Sequence, residues 1–226
     1  MLPWIQLATA TAPGGDTLRL LRRGDEFSIR LKGGNELMNS RLGSSEEALA
    51  TLALGRLTGR PAPRVLIGGL GMGFTLRAAL TVAPPAARLV VAEIVPELVG
   101  WAGQHMAAVF GNCLSDPRVT VETRDVGAMI REAAGVFDAI LLDVDNGPDG
   151  LTRAGNDALY HEAGLGSARR ALVPGGVLAL WSAAPVPAFS QRLSRCGFDV
   201  TTHTVRASGG RRGNRHTIWI AVRSDS

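Results

Sequence analysis

The sequence predicts an α/β fold: a Rossmann-like, seven-stranded, mostly parallel sheet that ends in an antiparallel hairpin and follows a small N-terminal β meander. Three observations carry this expectation. Short, continuously apolar runs such as Val65-Leu66-Ile67 and Ala139-Ile140-Leu141-Leu142 alternate with helix-forming stretches, as strands covered on both faces do. A glycine-rich turn, Gly68-Gly69-Leu70-Gly71-Met72-Gly73, follows the first of those runs. Residues 1 to 40 differ from the rest, with partial two-residue alternation broken by turn signals.

In the first 43 residues, Trp4 to Ala8, Thr17 to Leu21 and Phe27 to Leu31 read as strands, and Lys32-Gly33-Gly34-Asn35 turns into a fourth at Glu36 to Asn39. A second unit, residues 44–226, opens on Ser44-Ser45-Glu46-Glu47, a helix start with serine as cap and acids in the first turn. That helix runs to Leu57 and stops at Gly59 and Pro61. Strands are then expected at 64–67, 88–92, 118–122, 137–142 and 177–181. Helices fall between them at 74–82, 96–110, 126–134 and 156–172, the last broken by Pro174-Gly175-Gly176. A helix over 189–196 and a hairpin of 200–205 with 216–222 finish the chain.

Composition narrows the function classes. The chain has 226 residues, enough to bury a core without staples. No apolar run reaches the roughly 18 residues of a membrane span, and Met1 to Ala10 lacks the pattern of a secretory signal. A cytoplasmic protein with no membrane partner is the expectation. Cys113 and Cys196 are far apart and outside any CxxC spacing, and the four histidines show no ligand spacing; no metal is expected. The net charge of +4 comes almost wholly from arginine, Lys32 being the only lysine. Only Arg206, Arg211, Arg212 and Arg215 cluster, and few aromatic residues are present to stack on bases. A solvated loop, not a nucleic-acid surface, is the reading.

Four stretches carry candidate chemistry. In the glycine loop, Gly68, Gly69, Gly71 and Gly73 let the backbone approach a ligand closely. Counted from Gly71, the third glycine of a dinucleotide-type G-x-G-x-x-G falls on Leu76, so the loop suits a nucleoside with an amino-acid-like tail better than a pyrophosphate. A tight turn with no ligand is the alternative. Glu93 ends the second parallel strand and is placed to accept from two ribose hydroxyls; otherwise it is a solvated strand-end acid. Asp125, followed by Val126, stands after the third strand, where an acid accepts from an adenine amine or caps the next helix. Asp143-Val144-Asp145-Asn146 ends the fourth strand, where open α/β sheets hold their ligands, and a carboxylate there holds a cationic amine or takes its proton. Trp181, after the fifth strand, walls the pocket or packs the core.

These stretches resemble the spermidine synthases, the aminopropyltransferases within the methyltransferase-like Rossmann superfamily. The likeness covers residues 35 to 205. It rests on Val65-Leu66-Ile67-Gly68-Gly69, Ala92-Glu93-Ile94-Val95-Pro96-Glu97-Leu98, Asp116-Pro117-Arg118-Val119-Thr120-Val121, Phe137-Asp138-Ala139-Ile140-Leu141-Leu142-Asp143, Leu159-Tyr160 and Leu172-Val173-Pro174-Gly175-Gly176. The resemblance implies a transferase of polyamine biosynthesis whose donor is S-adenosylmethionine or its decarboxylated form, with S-adenosylhomocysteine or methylthioadenosine as product. It implies that Gly68, Gly69, Gly71, Gly73, Glu93, Asp125, Val126 and Asp143 hold the donor. Asp143 would orient and deprotonate the attacking amine, and Glu46, Asp145, Asn146, Tyr160 and Trp181 would face a small-molecule acceptor. A homodimer is also implied.

The family pattern has an acid where this chain has Gly71, a second acid where it has Asn146, and a Tyr and His absent from Ser45-Glu46-Glu47-Ala48-Leu49-Ala50. The acceptor site is therefore atypical. Aminopropyl transfer follows from Asp143, and methyl transfer from the missing loop acid, since an acid there would repel the carboxylate of ordinary S-adenosylmethionine. A non-catalytic adenosyl-nucleoside-binding protein and an NAD-dependent dehydrogenase are the remaining alternatives.

Overall fold

Alternating apolar residues build the N-terminal layer. β1 (Ile5–Thr11), β2 (Thr17–Arg23), β3 (Glu26–Leu31) and β4 (Glu36–Asn39) form an antiparallel sheet in sequence order. Leu20 and Ile29 pair directly across β2 and β3 and are fully buried. Burying each contributes roughly 1.5–3 kcal/mol. The structure, a computed structural model, describes residues 2–144, 154–208 and 213–224. The expectations placed on Asp145, Asn146, Arg211 and Arg212 lie outside the described residues.

α1 (Ser44–Leu54) follows the meander and ends in a 3-10 turn over Gly55–Leu57. Gly43, not a serine, occupies its N-cap, and no side chain caps it. The serines lie inside the first turn because the Ser45 hydroxyl is engaged by side chains instead. Strand and helix then alternate through β5 (Arg64–Gly68), α2 (Phe74–Val82), β6 (Arg88–Ala92), α3 (Pro96–Gln104), α4 (Ala107–Phe110), β7 (Val119–Glu122), α5 (Val126–Glu132) and β8 (Phe137–Leu142). α6 (Ala154–Tyr160), α7 (Glu162–Ala171), β9 (Leu172–Ser182), α8 (Pro187–Arg195), β10 (Phe198–Arg206) and β11 (Arg215–Arg223) complete the chain.

Three expected elements are corrected. The helix over 96–110 is two, because the chain turns at His105 and the fully buried Met106. The helix over 156–172 is also two, separated by His161 in an extended conformation. Pro174-Gly175-Gly176 does not precede a strand but lies within β9, where five steps from Leu172 to Val177 oppose two from Phe137 to Ala139. The bulge absorbs the proline that a regular ladder would exclude.

The second sheet runs in the order β10-β11-β9-β8-β5-β6-β7, with β5, β6, β7, β8 and β9 parallel and β11 antiparallel to both neighbours. Adjacent residues of each central strand serve opposite faces. Val65, Ile67, Ala139 and Leu141 pack with α1, α2, α3 and the core of the meander. Leu66, Ile140 and Leu142 pack with α5, α7 and α8. Strand order reverses between β5 and β8, so their carboxyl ends open a crevice that α1 and the meander roof.

Candidate active site

A cavity of about 240 Å³ occupies that crevice, room for a multi-ring ligand rather than a few waters. One wall is the loop after β5, with Gly69, Leu70, Gly71 and Met72 lining it. Gly69 has φ +86, and a Cβ on it would stand 2.7 Å from the Asp143 backbone oxygen. The loop is therefore glycine here because a side chain at this left-handed φ would run into the backbone just after β8. At Gly71 φ is +51 and a Cβ would meet only the Met38 sulfur, at 3.7 Å. Gly71 is thus open toward the cavity. Gly68 and Gly73 do not line it: the Gly68 carbonyl accepts from the Asp143 amide at 3.1 Å, and Gly73 caps α2.

Glu93, directly after β6, is buried. Its carboxylate accepts from the amides of Leu70 at 3.0 Å and Val95 at 2.8 Å. Two charge-assisted bonds fix the side chain at the cavity wall and tie the glycine loop to the start of α3. Asp125 both caps and lines: its Oδ1 accepts from the Ala128 amide at 2.7 Å at the start of α5, and the residue borders the cavity beside Val126. The two alternatives offered by the sequence are compatible, since a carboxylate has lone pairs on both oxygens.

At the far end stand two acids. Asp143 directly follows β8, is half-buried, and accepts from the Thr75 hydroxyl at 2.8 Å. Burial, and then the charge of Glu46, push its pKa up to about 7, against the opposing pull of Thr75. Glu46, from the first turn of α1, lines the same cavity, and burial raises its pKa too. With the charge of Glu46 acting on Asp143, and that of Glu47 on Glu46, the two carboxyls do not both ionise cheaply at neutral pH. The pair is a site for one cation or one shared proton. Trp181 borders these acids, and its buried Nε1 has no hydrogen-bond partner among the described residues.

Tyr160 is placed elsewhere. Its ring is 2% exposed, packs edge-on against Phe189 at 5.9 Å, and belongs to the core beneath α7 and α8. It is absent from the cavity wall, because α6 turns this side chain toward α8. Conversely, sequence reasoning missed the roof. Leu18, Leu31, Leu37, Met38 and Asn39 of the meander line the cavity, and so does Arg124. Only Arg124 carried a signal, its adjacency to Asp125. Among the described residues no group of three or more His, Cys, Asp and Glu is arranged to hold a metal ion. No helix among them is long and apolar enough to cross a membrane.

No protein-family model matches the chain. Polyamine aminopropyltransferases 1 and 2 of Ralstonia nicotianae are each 30% identical to it over 128 residues, 56% of this chain. That match spans only 24% of the length of these curated relatives. Among solved structures, a spermidine synthase in complex with the transition state analogue AdoDATO superposes with a TM-score of 0.75 at 16% identity, covering 98% of this chain and 73% of that one. The spermidine synthase from Thermotoga maritima gives a TM-score of 0.75 at 17% identity, over 98% and 74%. A probable spermidine synthase from Corynebacterium glutamicum gives 0.65 at 16% identity, over 97% and 80%. The chain has the spermidine synthase-like fold, and its sequence likeness to aminopropyltransferases extends over just over half its length.

Proposed function

We propose that this chain transfers an aminopropyl group from decarboxylated S-adenosylmethionine to a small amine, with an acceptor site unlike that of ordinary spermidine synthesis. The observation that carries the reading is that Glu46 and Asp143 line the same cavity, with the charge of Glu46 acting on Asp143. A half-buried acid pair attracts a cationic amine and repels a carboxylate. It therefore favours a donor that has lost its carboxylate and an acceptor that arrives as an ammonium.

The rest of the cavity fits an adenosyl group. Glu93, fixed at the cavity wall by the two amides, is placed where it can meet a pair of hydroxyls. Asp125 keeps Oδ2 for an exocyclic amine, with Val126 beside it. The side-chain-free backbone at Gly69 and Gly71 forms the cradle between them. When bound, the donor supplies an electrophilic carbon beside a sulfonium and a neutral thioether as leaving group.

The protein's part is position and proton transfer. Asp143, held by Thr75, orients the acceptor ammonium and takes its proton. A pKa near 7 matches that task, because the group is ionised in part at neutral pH and basic enough to accept. Trp181 and the apolar roof residues Leu18, Leu31 and Met38 exclude water from the acids.

One observation favours a second reading. Gly71 leaves no acid in the loop to hold a donor amine, and methyl transfer from ordinary S-adenosylmethionine would accommodate that. Thermal denaturation with S-adenosylmethionine, its decarboxylated form, methylthioadenosine and NAD separates the two. A ligand at 100 times its Kd stabilises by about 2.7 kcal/mol, which is roughly 5–10 °C for a chain of this size. Aminopropyl transfer requires shifts with decarboxylated donor and methylthioadenosine. A shift with S-adenosylmethionine and not its decarboxylated form would support methylation, and one with NAD alone would reject both.

A further inference from the structure

A buried polar chain leads away from the acid pair. Ser45 of α1 is fully buried. Its hydroxyl oxygen lies 2.5 Å from Glu46 Oε2 and 2.8 Å from Nδ1 of His216, which is 171 residues away at the start of β11. The half-buried imidazole stands edge-on to the Trp181 ring, 4.7 Å between centroids. The order from the cavity to the start of β11 is therefore Asp143 and Glu46, then Ser45, then His216.

We propose that Ser45 and His216 are positioning residues that conduct the proton released by the acceptor amine from the Glu46–Asp143 pair out to solvent. This inference rests on the aminopropyl transfer proposed above. In that reaction an ammonium loses one proton to a carboxylate, the C–N bond forms, and the C–S bond breaks with its electron pair left on sulfur. The products are a secondary ammonium, a neutral thioether and one free proton. That proton must leave a cavity built to exclude water.

The hydroxyl is suited to the task because it has one hydrogen and two lone pairs. With Glu46 ionised, Nδ1–H donates to Ser45 and Ser45 donates to the carboxylate. With Glu46 protonated, the carboxyl donates to Ser45 and Ser45 donates to Nδ1. Both states keep both bonds. Passage from one to the other moves a proton from Glu46 to His216, and the resulting imidazolium releases its other proton to water. Burial lowers the pKa of His216, so the ring is neutral and ready to accept near pH 7.

Among the described residues, the charged groups along this path are few. Glu46 and Glu47 approach from α1 and Asp143 from the end of β8. His203 of β10 shares the face of His216 by register, whereas Arg206 and Arg215 alternate to the other face.

The relay is tested first without substrate, by ¹⁵N NMR of the histidine rings in the full chain across pH. His216 should show a tautomer change linked to a second ionisation, and that link should vanish in Glu46→Gln and in Ser45→Ala. Turnover is then read as methylthioadenosine release. His216→Asn should lower kcat about tenfold, leave KM for the donor unchanged, and be restored in part by added imidazole. A His216 titration identical in wild type, Glu46→Gln and Ser45→Ala would overturn the relay. So would an unchanged kcat and pH profile in His216→Asn. A wild-type chain with the linked titration but no methylthioadenosine would instead overturn the aminopropyl reading.

Discussion

Replacing Asp143 by Asn should separate stability from chemistry, and the sign follows from the site. Asp143 has a folded pKa of about 7 against an ordinary value of 3.8. A carboxyl whose pKa is raised by folding stabilises the native state fully below the unfolded value. That contribution is lost as pH rises through the folded value. Each unit corresponds to about 1.4 kcal/mol. Between pH 5 and pH 8 the wild type should thus lose about 3 kcal/mol that Asp143→Asn retains, taking about two of the three units as effective. Glu46 is relieved in the variant and shifts the figure, but in the same direction, since the charge it faced is gone. Urea denaturation of both proteins at pH 5 and pH 8 measures the difference. The stability of Asp143→Asn relative to wild type should rise by roughly 3 kcal/mol between these pH values, while turnover is lost at both. A relative stability that stays constant to within about 1 kcal/mol would refute the raised pKa of Asp143 and the desolvation and Glu46 charge that cause it.

Three further outcomes are expected. Glu93→Gln turns an amide hydrogen toward the Leu70 or Val95 amide, which the carboxylate now accepts from. It should cost about 1–3 kcal/mol of stability and weaken methylthioadenosine binding at least tenfold by calorimetry. Gly69→Ala sets a Cβ 2.7 Å from the Asp143 carbonyl at φ +86 and should destabilise by about 1–3 kcal/mol, with a matching drop in thermal midpoint. Gly71→Asp meets only Met38, so it should fold; competition binding should show at least a tenfold gain in preference for the decarboxylated donor over S-adenosylmethionine.

The strand-end acids were legible because each follows closely on a strand-like run. Glu93 and Asp143 directly follow Val90-Val91-Ala92 and Ile140-Leu141-Leu142, and Asp125 stands three residues beyond the strand that Val119-Thr120-Val121-Glu122 forms. A parallel sheet brings such ends together whatever the loops do. The meander roof was not legible. Leu18, Leu31 and Met38 alternate as any half-buried strand does, and alternation does not distinguish a core from a cavity wall. In the sequence Ser45 belongs to a helix-start pattern and His216 is one of four histidines with no ligand spacing, because their bond joins residues 171 positions apart. Tyr160 fitted a motif, yet the turn at His161 rotates α6 so that the ring meets Phe189. Short-range signals fixed the element types, while the bulge in β9 and the contacts between distant elements required the sheet itself.

Product analysis tests the proposed reaction most directly. Wild-type protein is incubated with decarboxylated S-adenosylmethionine and a panel of small mono- and diamines, and in parallel with S-adenosylmethionine and the same panel. Both mixtures are resolved by mass spectrometry. The expected result is methylthioadenosine together with an amine heavier by one aminopropyl group, formed only from the decarboxylated donor and abolished in Asp143→Asn. S-adenosylhomocysteine with a methylated acceptor, or no product from any amine in either mixture, would contradict the proposal that Glu46 and Asp143 form the acceptor site of an aminopropyltransferase.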